Sequence, residues 1–287
     1  MNDEDPNKTA FLFMLAWSFG ANWLAWKGGY YTLPTGDLVV KPRVLFRDVF
    51  GIFALFLLIM LVLVPGSALV FHYSQSGVWE LPPSFERGWM NIVAIFASAL
   101  GVIFFCRVIE PQTKGIVSFQ GWNKFKQDIS WGALSWLICF PLVSLLAAAV
   151  SITLEYFQLS GEADQVAVRY LKEILSERGL FWASFTLIIF IVPFVEETLF
   201  RGFLQTWLRR HLNRVPAIAL SSAIFAGFHF SVSQGWQNIN LLTALFLLAC
   251  FLGFLYEKRG SIWAPAGLHM TFNAISEIAI VAQEGGF

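Results

Sequence analysis

The sequence predicts an all-α, polytopic membrane protein with seven or eight transmembrane helices around a polar intramembrane cavity. Of its 287 residues, 57% are hydrophobic and 13% are charged, which is about half the charged share of a soluble domain. Mean hydropathy is +0.63, and apolar runs long enough to cross a bilayer recur along the chain. This composition excludes a secreted disulfide scaffold, a disordered chain and a nucleic-acid-binding protein.

The apolar runs give the positions of the expected spans. A transmembrane helix needs about 20 mostly apolar residues. A weaker run covers 10–26, where Asn22 interrupts it, and two further runs, 180–195 and 215–230, flank a polar motif. The clearest candidates are 49–72, 89–109, 131–153, 240–256 and 261–281.

Basic residues are concentrated in alternate connections between these runs. By the positive-inside rule these connections face the cytoplasm, and both termini lie outside if the first, weaker run spans. An outer connection, 163–178, has one apolar helical face, which predicts an amphipathic helix at the membrane interface or a solvated loop helix. The basic connections are 27–48, 107–130, 201–214 and 257–260.

Three polar clusters interrupt the apolar runs in the second half of the chain. An ionisable residue near the bilayer centre costs at least about 2.5 kcal/mol, so such residues are functional candidates by default. Counted from the flanking arginines at about 1.5 Å per residue, the polar side chains lie about 15–22 Å deep and are expected to line one cavity. The clusters read EETLFRG at 196–202, FAGFH at 225–229 and HMTFN at 269–273.

Helical spacing separates the roles of the two adjacent glutamates. Glu197 and Arg201 are four residues apart, the spacing of an intrahelical ion pair, which neutralises two charges that are costly in lipid. Glu196 points about 100° away around the helix and is left without a cation. It is therefore the candidate general base.

The other two clusters supply further polar groups for the same cavity. Phe225 and His229 share one helical face, and so do His269 and Asn273. With Glu196 they give a carboxylate, two imidazoles and a carboxamide, a set that can activate water and stabilise an oxyanion. Intramembrane Glu and His residues are also found as interhelical hydrogen-bonding groups and in proton-coupled transporters.

No cofactor is expected, although zinc is the alternative for this set. Glu196, His229 and His269 are possible zinc ligands, but they come from separate helices and no HExxH motif occurs. Zinc-binding histidines usually also bond a carboxylate or carbonyl, and the nearest spare carboxylate, Glu197, is expected to be taken by Arg201. The sequence therefore favours water activation without a metal.

The three motifs resemble those of the CAAX prenyl endopeptidase type II family, also called the CPBP or Abi family. EETLFRG looks like the E-E-x-x-x-R motif of that family, FAGFH like F-x-x-x-H, and HMTFN like H-x-x-x-N. The resemblance covers roughly residues 130–285. It divides the chain into an N-terminal membrane region, 1–129, with the first two or three spans, and a protease core, 130–287.

The resemblance implies an intramembrane endopeptidase of CAAX-protease or bacteriocin-processing type. Its partners would be membrane lipid and a peptide or protein substrate, lipid-modified or not, in the cytoplasmic membrane of a bacterium. A membrane scaffold or immunity partner without proteolytic activity is the alternative, and a transporter is less favoured because no inverted repeat is recognisable. The implied roles are water activation for Glu196 and His229, oxyanion binding for His269 and Asn273, and support for Glu197, Arg201 and Phe225.

Overall fold

The computed structural model describes residues 6–34, 43–75, 83–108, 116–117, 120–159 and 166–283. Over these ranges the secondary structure is helical, without strands. Two π-helical stretches are present, Ile59–Leu63 between α2 and α3 and Thr198–Gln205 between α7 and α8. The helices are α1 (Pro6–Lys27), α2 (Phe46–Leu58), α3 (Val64–Gln75), α4 (Pro83–Val108), α5 (Trp122–Tyr156), α6 (Val166–Glu173), α7 (Arg178–Glu197), α8 (Thr206–Leu208), α9 (Arg214–Gly227), α10 (Gln237–Arg259) and α11 (Trp263–Gln283).

Five helical segments of the described chain are long and apolar enough to cross a membrane. Helices α1 and α11 and the shorter apolar helix α9 occupy the remaining positions where the sequence predicts spans. The protein is therefore an all-α, polytopic integral membrane protein, as predicted. The five segments are Phe46–Leu69, Ser84–Val108, Trp122–Tyr156, Arg178–Leu208 and Gln237–Arg259.

The segment that carries the EETLFRG motif is one continuous helical rod. It runs from Arg178 to Leu208 over 31 residues, about 46 Å at 1.5 Å per residue. The apolar run 180–195 and the polar motif that follows it therefore belong to the same helical segment, and Pro193 is accommodated within α7.

Helices α5 and α11 approach each other through glycines. A Cβ atom added at Gly132 would lie 2.0 Å from the carbonyl oxygen of Ala264, and one at Gly267 would lie 2.4 Å from that of Ile129. Small residues allow such backbone contact between membrane helices. The contact fixes the position of α11 two residues before His269.

Polar contacts bring the basic connections together at one end of the molecule. Lys258 donates to three backbone carbonyls that follow α1, at 2.6–3.2 Å. Arg259 pairs with Asp128 of α5 at 2.8 Å, and Arg210 donates to the carbonyl of Val44 at 2.8 Å. The charge pattern therefore predicted correctly which connections share an end. Within two of these connections, 35–42 and 109–115 lie outside the described residues.

The opposite end contains the connections that are poor in basic residues. Arg87 at the start of α4 pairs with Glu173 of α6 at 3.1 Å. Arg169 of α6 donates to Ser233, in the connection between α9 and α10, at 2.8 Å. The helical segments therefore alternate in direction, as the positive-inside rule requires.

Helix α6 differs from the interfacial or solvated helix expected over 163–178. Leu171 of α6 and Ile174, the residue that follows α6, are buried in the protein at 2% and 0% exposure. They form one apolar cluster with Phe181 of α7 and Val281 of α11. The apolar face covers other helices instead of lying in the headgroup region, because the α7–α11 surface offers it a protein partner.

The N-terminal helices share a core with the motif helix. Phe53 of α2 packs edge-on against Phe200, and Phe105 of α4 packs edge-on against Phe203. The division of the chain at 129/130 stays a prediction, and that point falls inside α5.

The variant Gly132→Ala is expected to destabilise the fold, because its Cβ would collide with the α11 backbone. Overpacking of this kind costs about 1–3 kcal/mol. Gly20→Ala in α1, where nothing lies within 4 Å of an added Cβ, is the control and is expected to be neutral or slightly stabilising. Thermal unfolding in detergent micelles measures both. Equal melting temperatures would contradict the close approach of α5 and α11.

Candidate active site

The motif helix changes geometry at the second glutamate. The α-helix ends at Glu197 and a π-helical stretch, Thr198–Gln205, follows with all eight residues buried. A π-helix places more residues in each turn than an α-helix, and such segments occur frequently at functional sites. Arg201 lies inside this stretch.

Glu197 and Arg201 form the predicted ion pair. The Nη1 atom of Arg201 is 3.0 Å from Oε1 of Glu197, and both side chains have 0% exposure. The Nη2 atom donates to the backbone carbonyl of Ala249 on α10 at 3.0 Å. The guanidinium also lies over the Phe225 ring, 4.7 Å from its centroid. Arg201 is thus neutralised, hydrogen-bonded to a second helix and packed on a third.

Glu197 has a second partner that the sequence did not predict. Its Oε1 atom lies 3.0 Å from Nδ1 of His269 on α11. One carboxylate oxygen therefore contacts both Arg201 and His269. The ion pair with Arg201 was expected to leave Glu197 unavailable to a histidine; this expectation is wrong, because a carboxylate oxygen accepts more than one hydrogen bond.

Glu196 faces away from the ion pair and towards the two predicted histidines. Its Oε1 atom is 3.8 Å from Nε2 of His229, and its Oε2 atom is 3.6 Å from Nε2 of His269. These separations exceed a direct hydrogen bond but are shorter than two hydrogen-bond lengths. One water oxygen can therefore bond to both members of each pair. The side chain of Glu196 is 18% exposed and that of His229 is 32% exposed, so the site is accessible from the side of His229.

The other ring nitrogen of each histidine has an acceptor as its partner. Nδ1 of His229 is 2.9 Å from the carbonyl of Phe225, and Nδ1 of His269 contacts the Glu197 carboxylate. A carbonyl or carboxylate oxygen can only accept, so each Nδ1 carries the hydrogen. In the neutral rings both Nε2 atoms are then acceptors directed at Glu196. A proton on any of these three groups can be shared with the others.

Phe225 separates the two parts of the site. It is fully buried, and its ring centroid is 4.8 Å from that of His229 and 6.0 Å from that of His269. Its opposite contact is the Arg201 guanidinium. The ring holds both imidazoles and the ion pair at fixed distances, which agrees with the supporting position expected for it.

Asn273 is held by the outer part of α7. Its Nδ2 atom donates to the backbone carbonyl of Ile188 at 3.0 Å. Ile188 is eight residues before Glu196, or about two turns along the helix. One hydrogen of the Asn273 amide thus bonds α11 to α7, and the second hydrogen can be donated to another acceptor. The predicted oxyanion role of Asn273 stays a prediction.

A stripe of polar side chains extends from the ion pair along the motif helix, and the sequence analysis missed its inner half. Nε2 of Gln205 donates to the carbonyl of Gly253 at 3.0 Å. Arg209 pairs with the buried Glu257 of α10 at 3.2 Å. Spacing could have revealed the stripe, because its members recur every four residues. They are Glu197, Arg201, Gln205 and Arg209.

Glu196, His229 and His269 are side-chain types that bind zinc in other proteins. Among the residues that the structure describes, no group of three or more His, Cys, Asp or Glu side chains is arranged to hold a metal ion. The hydrogen-bonded Nδ1 atoms of His229 and His269 are nevertheless the kind of support that zinc ligands have.

Comparison with known proteins places the three motifs in one family. Residues 178–275 match the family described as type II CAAX prenyl endopeptidase Rce1-like. The family resemblance carried by the motifs is thus confirmed, over a shorter range than 130–285. A curated relative is the "Uncharacterized protein YpbD" of Bacillus subtilis (strain 168), 34% identical over 104 residues, which are 36% of this chain and 48% of the relative. The chain spans about half the length of the curated relative it matches, and no solved structure matches it.

The variant Arg201→Ala is expected to lower stability, because it leaves Glu197 as a buried charge. Breaking such a pair costs about 3–5 kcal/mol. The double variant Arg201→Ala with Glu197→Gln is expected to melt at a higher temperature than Arg201→Ala alone, because it no longer has the unpaired buried carboxylate of Glu197. Arg87→Ala is the control, because its pair with Glu173 is half exposed and worth at most about 1 kcal/mol. A double variant that melts no higher than the single one would show that the two charges do not compensate each other.

Proposed function

We propose, from the premise that residues 178–275 form an Rce1-like domain, that this protein is an intramembrane endopeptidase. The observation that carries the proposal is the convergence of Glu196 with Nε2 of His229 and of His269, at 3.8 and 3.6 Å. A carboxylate that is not neutralised by an arginine, beside two imidazoles in a membrane-spanning region, suits water activation better than structural support.

Hydrolysis begins with a water molecule bonded to Glu196. The Glu196 carboxylate takes a proton from the water. At the same time the water oxygen attacks the carbonyl carbon of the scissile peptide bond. The carbonyl becomes a tetrahedral oxyanion. The carbon–nitrogen bond then breaks, and the leaving nitrogen receives the proton from Glu196, directly or through His229. The products are a carboxylic acid and an amine, and the acid then gives its proton to the amine or to water, while Glu196 returns to its starting state.

The oxyanion is assigned to His269 and Asn273. Because Nδ1 of His269 donates to Glu197, the ring offers a donor at Nε2 when it is an imidazolium. The Glu197 carboxylate stabilises this charged ring. Asn273 contributes the amide hydrogen that is not bonded to Ile188. Donors that are held in place before the reaction stabilise developing charge effectively.

The proposed substrate is a peptide or protein segment that reaches the site within the membrane. The matching family is one of endopeptidases, which act on peptides or proteins, and the proposal includes lipid-modified substrates. The proposed location is the cytoplasmic membrane of a bacterium, with the basic connections on the cytoplasmic side.

The decisive experiment replaces the proposed base. Glu196→Gln keeps the shape of the side chain but cannot take a proton, so turnover is expected to fall about 10²- to 10⁴-fold. New protein termini in membranes from cells with the wild-type or the variant protein are compared by mass spectrometry. Glu173→Gln, which changes a half-exposed carboxylate at the outer end, is the control and is expected to keep activity. Unchanged termini in cells with Glu196→Gln, or partner binding without any turnover in the wild type, would contradict the proposal.

Metal dependence is expected to be absent. If zinc were held by Glu196, His229 and His269, it would supply a polarised water molecule. Under the proposed mechanism Glu196 itself activates the water, so the purified protein is expected to keep its activity after dialysis against a strong chelator. Elemental analysis and activity are measured before and after. One tightly held zinc per chain, with activity that follows its occupancy, would instead make both histidines ligands.

A further inference from the structure

Two apolar grooves lie side by side at the beginning of α4, at the end of the molecule that has few basic residues. The α4–α7 groove has a volume of about 530 Å³, and the α3–α4 groove one of about 490 Å³. Both volumes are in the range of pockets that bind small molecules. Phe85 and Trp89 line both grooves, and their rings lie edge to face. This aromatic ridge therefore separates two neighbouring apolar spaces.

The α4–α7 groove has the length of one bilayer leaflet. Its lining on α4 runs from Phe85 to Phe96, which is about 16 Å of helix. One leaflet contributes half of a hydrocarbon core that is about 30 Å thick. Trp89 and Phe96 are 49% and 50% exposed, so the groove is open towards the surrounding lipid. Its other apolar lining residues are Ile92, Leu180 and Ala183.

Two adjacent residues of opposite charge lie at the outer end of the α4–α7 groove. Glu177 and Arg178 both line it; Glu177 is half-buried and Arg178 is exposed. Among the residues that the structure describes, neither side chain has an ion pair or a hydrogen bond. Arg87 and Glu173, at the same end, are by contrast paired with each other at 3.1 Å. One positive and one negative group are therefore available to a ligand in this groove.

The two grooves and the two charges together match the chemistry of a phospholipid. A guanidinium donates hydrogen bonds to a phosphate, and a primary ammonium donates to a carboxylate. Phosphatidylethanolamine carries a phosphate and a primary ammonium in one headgroup, above two acyl chains. Phosphatidylglycerol lacks the ammonium, so its phosphate would lie beside Glu177 without a compensating charge. In the α3–α4 groove the charged lining residue, Glu86, already has a partner.

We infer that this end of α4 is a binding site for one molecule of phosphatidylethanolamine. Its phosphate bonds to Arg178, its ammonium bonds to Glu177, and one acyl chain lies on each side of the ridge formed by Phe85 and Trp89. Most of the site comes from α3 and α4, outside the range of the family match, 178–275. The bound lipid joins α4 to the motif helix α7, and it stabilises the folded protein because it binds only that state.

Lipid titration followed by native mass spectrometry tests the headgroup contacts in the full chain. Purified protein in detergent micelles is titrated with phosphatidylethanolamine or phosphatidylglycerol of identical acyl chains. Arg178→Gln is expected to weaken the binding of both lipids about 5-fold, because both lose a contact to phosphate. Glu177→Gln is expected to weaken the binding of phosphatidylethanolamine about 5-fold and not that of phosphatidylglycerol, because only the first has an ammonium.

The matched controls are charged residues at the same end that do not line either groove. Arg169→Gln removes a side chain that is bonded to Ser233, and Glu173→Gln removes one that is paired with Arg87. Both are expected to leave the two affinities unchanged. Equal affinities for the two lipids in the wild type, or an equal loss for both in Glu177→Gln, would overturn the assignment of the headgroup. None of these measurements requires proteolytic activity, so they stand apart from the proposed function.

The two chains are tested by removing one of them and by removing the ridge. Lysophosphatidylethanolamine, which has one chain, is expected to bind about 5- to 30-fold more weakly, since about ten carbon contacts are lost. Trp89→Ala is expected to cause a similar loss for the two-chain lipid, and Trp236→Ala, at a 58% exposed tryptophan of the same end, is the control. Phosphatidylethanolamine is also expected to raise the melting temperature of the wild type more than that of Trp89→Ala. Equal binding of the one-chain and two-chain lipids, or equal affinities of the two tryptophan variants, would overturn the site.

Discussion

The fully buried guanidinium of Arg201 is the constraint on which the rest of the structure depends. An arginine inside a membrane-spanning helix must find a counter-charge and hydrogen-bond acceptors within the protein. It finds them on three other helical positions: Glu197 one turn earlier, the carbonyl of Ala249 on α10 and the face of Phe225 on α9. These contacts fix the rotation of the motif helix against its neighbours. Gly253 allows the same approach one turn further on, since a Cβ there would lie 2.7 Å from Oε1 of Gln205.

The same constraint gives two adjacent glutamates different environments. Glu197 is committed to Arg201 and His269 and has no exposure. Glu196 is rotated away from the guanidinium and partly exposed, and both of its oxygens face imidazole nitrogens across less than 4 Å. The ion pair therefore does more than neutralise a charge. By holding Glu197 and Phe225 it orients His269 and spaces His229, and so it determines what Glu196 faces.

The helices, the connections that share an end and most of the site residues could be predicted from the sequence, because the patterns that indicate them are local. Apolar runs gave the positions of the helices, although α4 and α5 begin six and nine residues before the predicted runs 89–109 and 131–153. Charge asymmetry gave the connections that share an end. The i,i+4 spacing gave the Glu197–Arg201 pair and the opposite direction of Glu196. Depth counting placed Glu196, His229, His269 and Asn273 at one level. Glu196 does lie within 4 Å of both histidines, but Asn273 bonds to the carbonyl of Ile188, about two turns further along α7. The expectations that were wrong concern packing partners. The sequence predicted a surface helix at α6, because the residues of α6 alone do not indicate the α7–α11 surface against which Leu171 and Ile174 are buried.

The sequence by itself determined the fold class, which connections share an end of the molecule and which residues can carry chemistry, because hydropathy, charge and helical period are properties of the chain. Only the tertiary structure decided which acceptors those residues use. The carbonyls of Ala249, Ile188 and Phe225 belong to residues whose side chains give no sign of the role. The contact between Glu197 and His269 joins positions 72 residues apart. Backbone acceptors and long-range contacts depend on how helices are rotated and translated against each other, and that is settled by close packing at glycines such as Gly132 and Gly253.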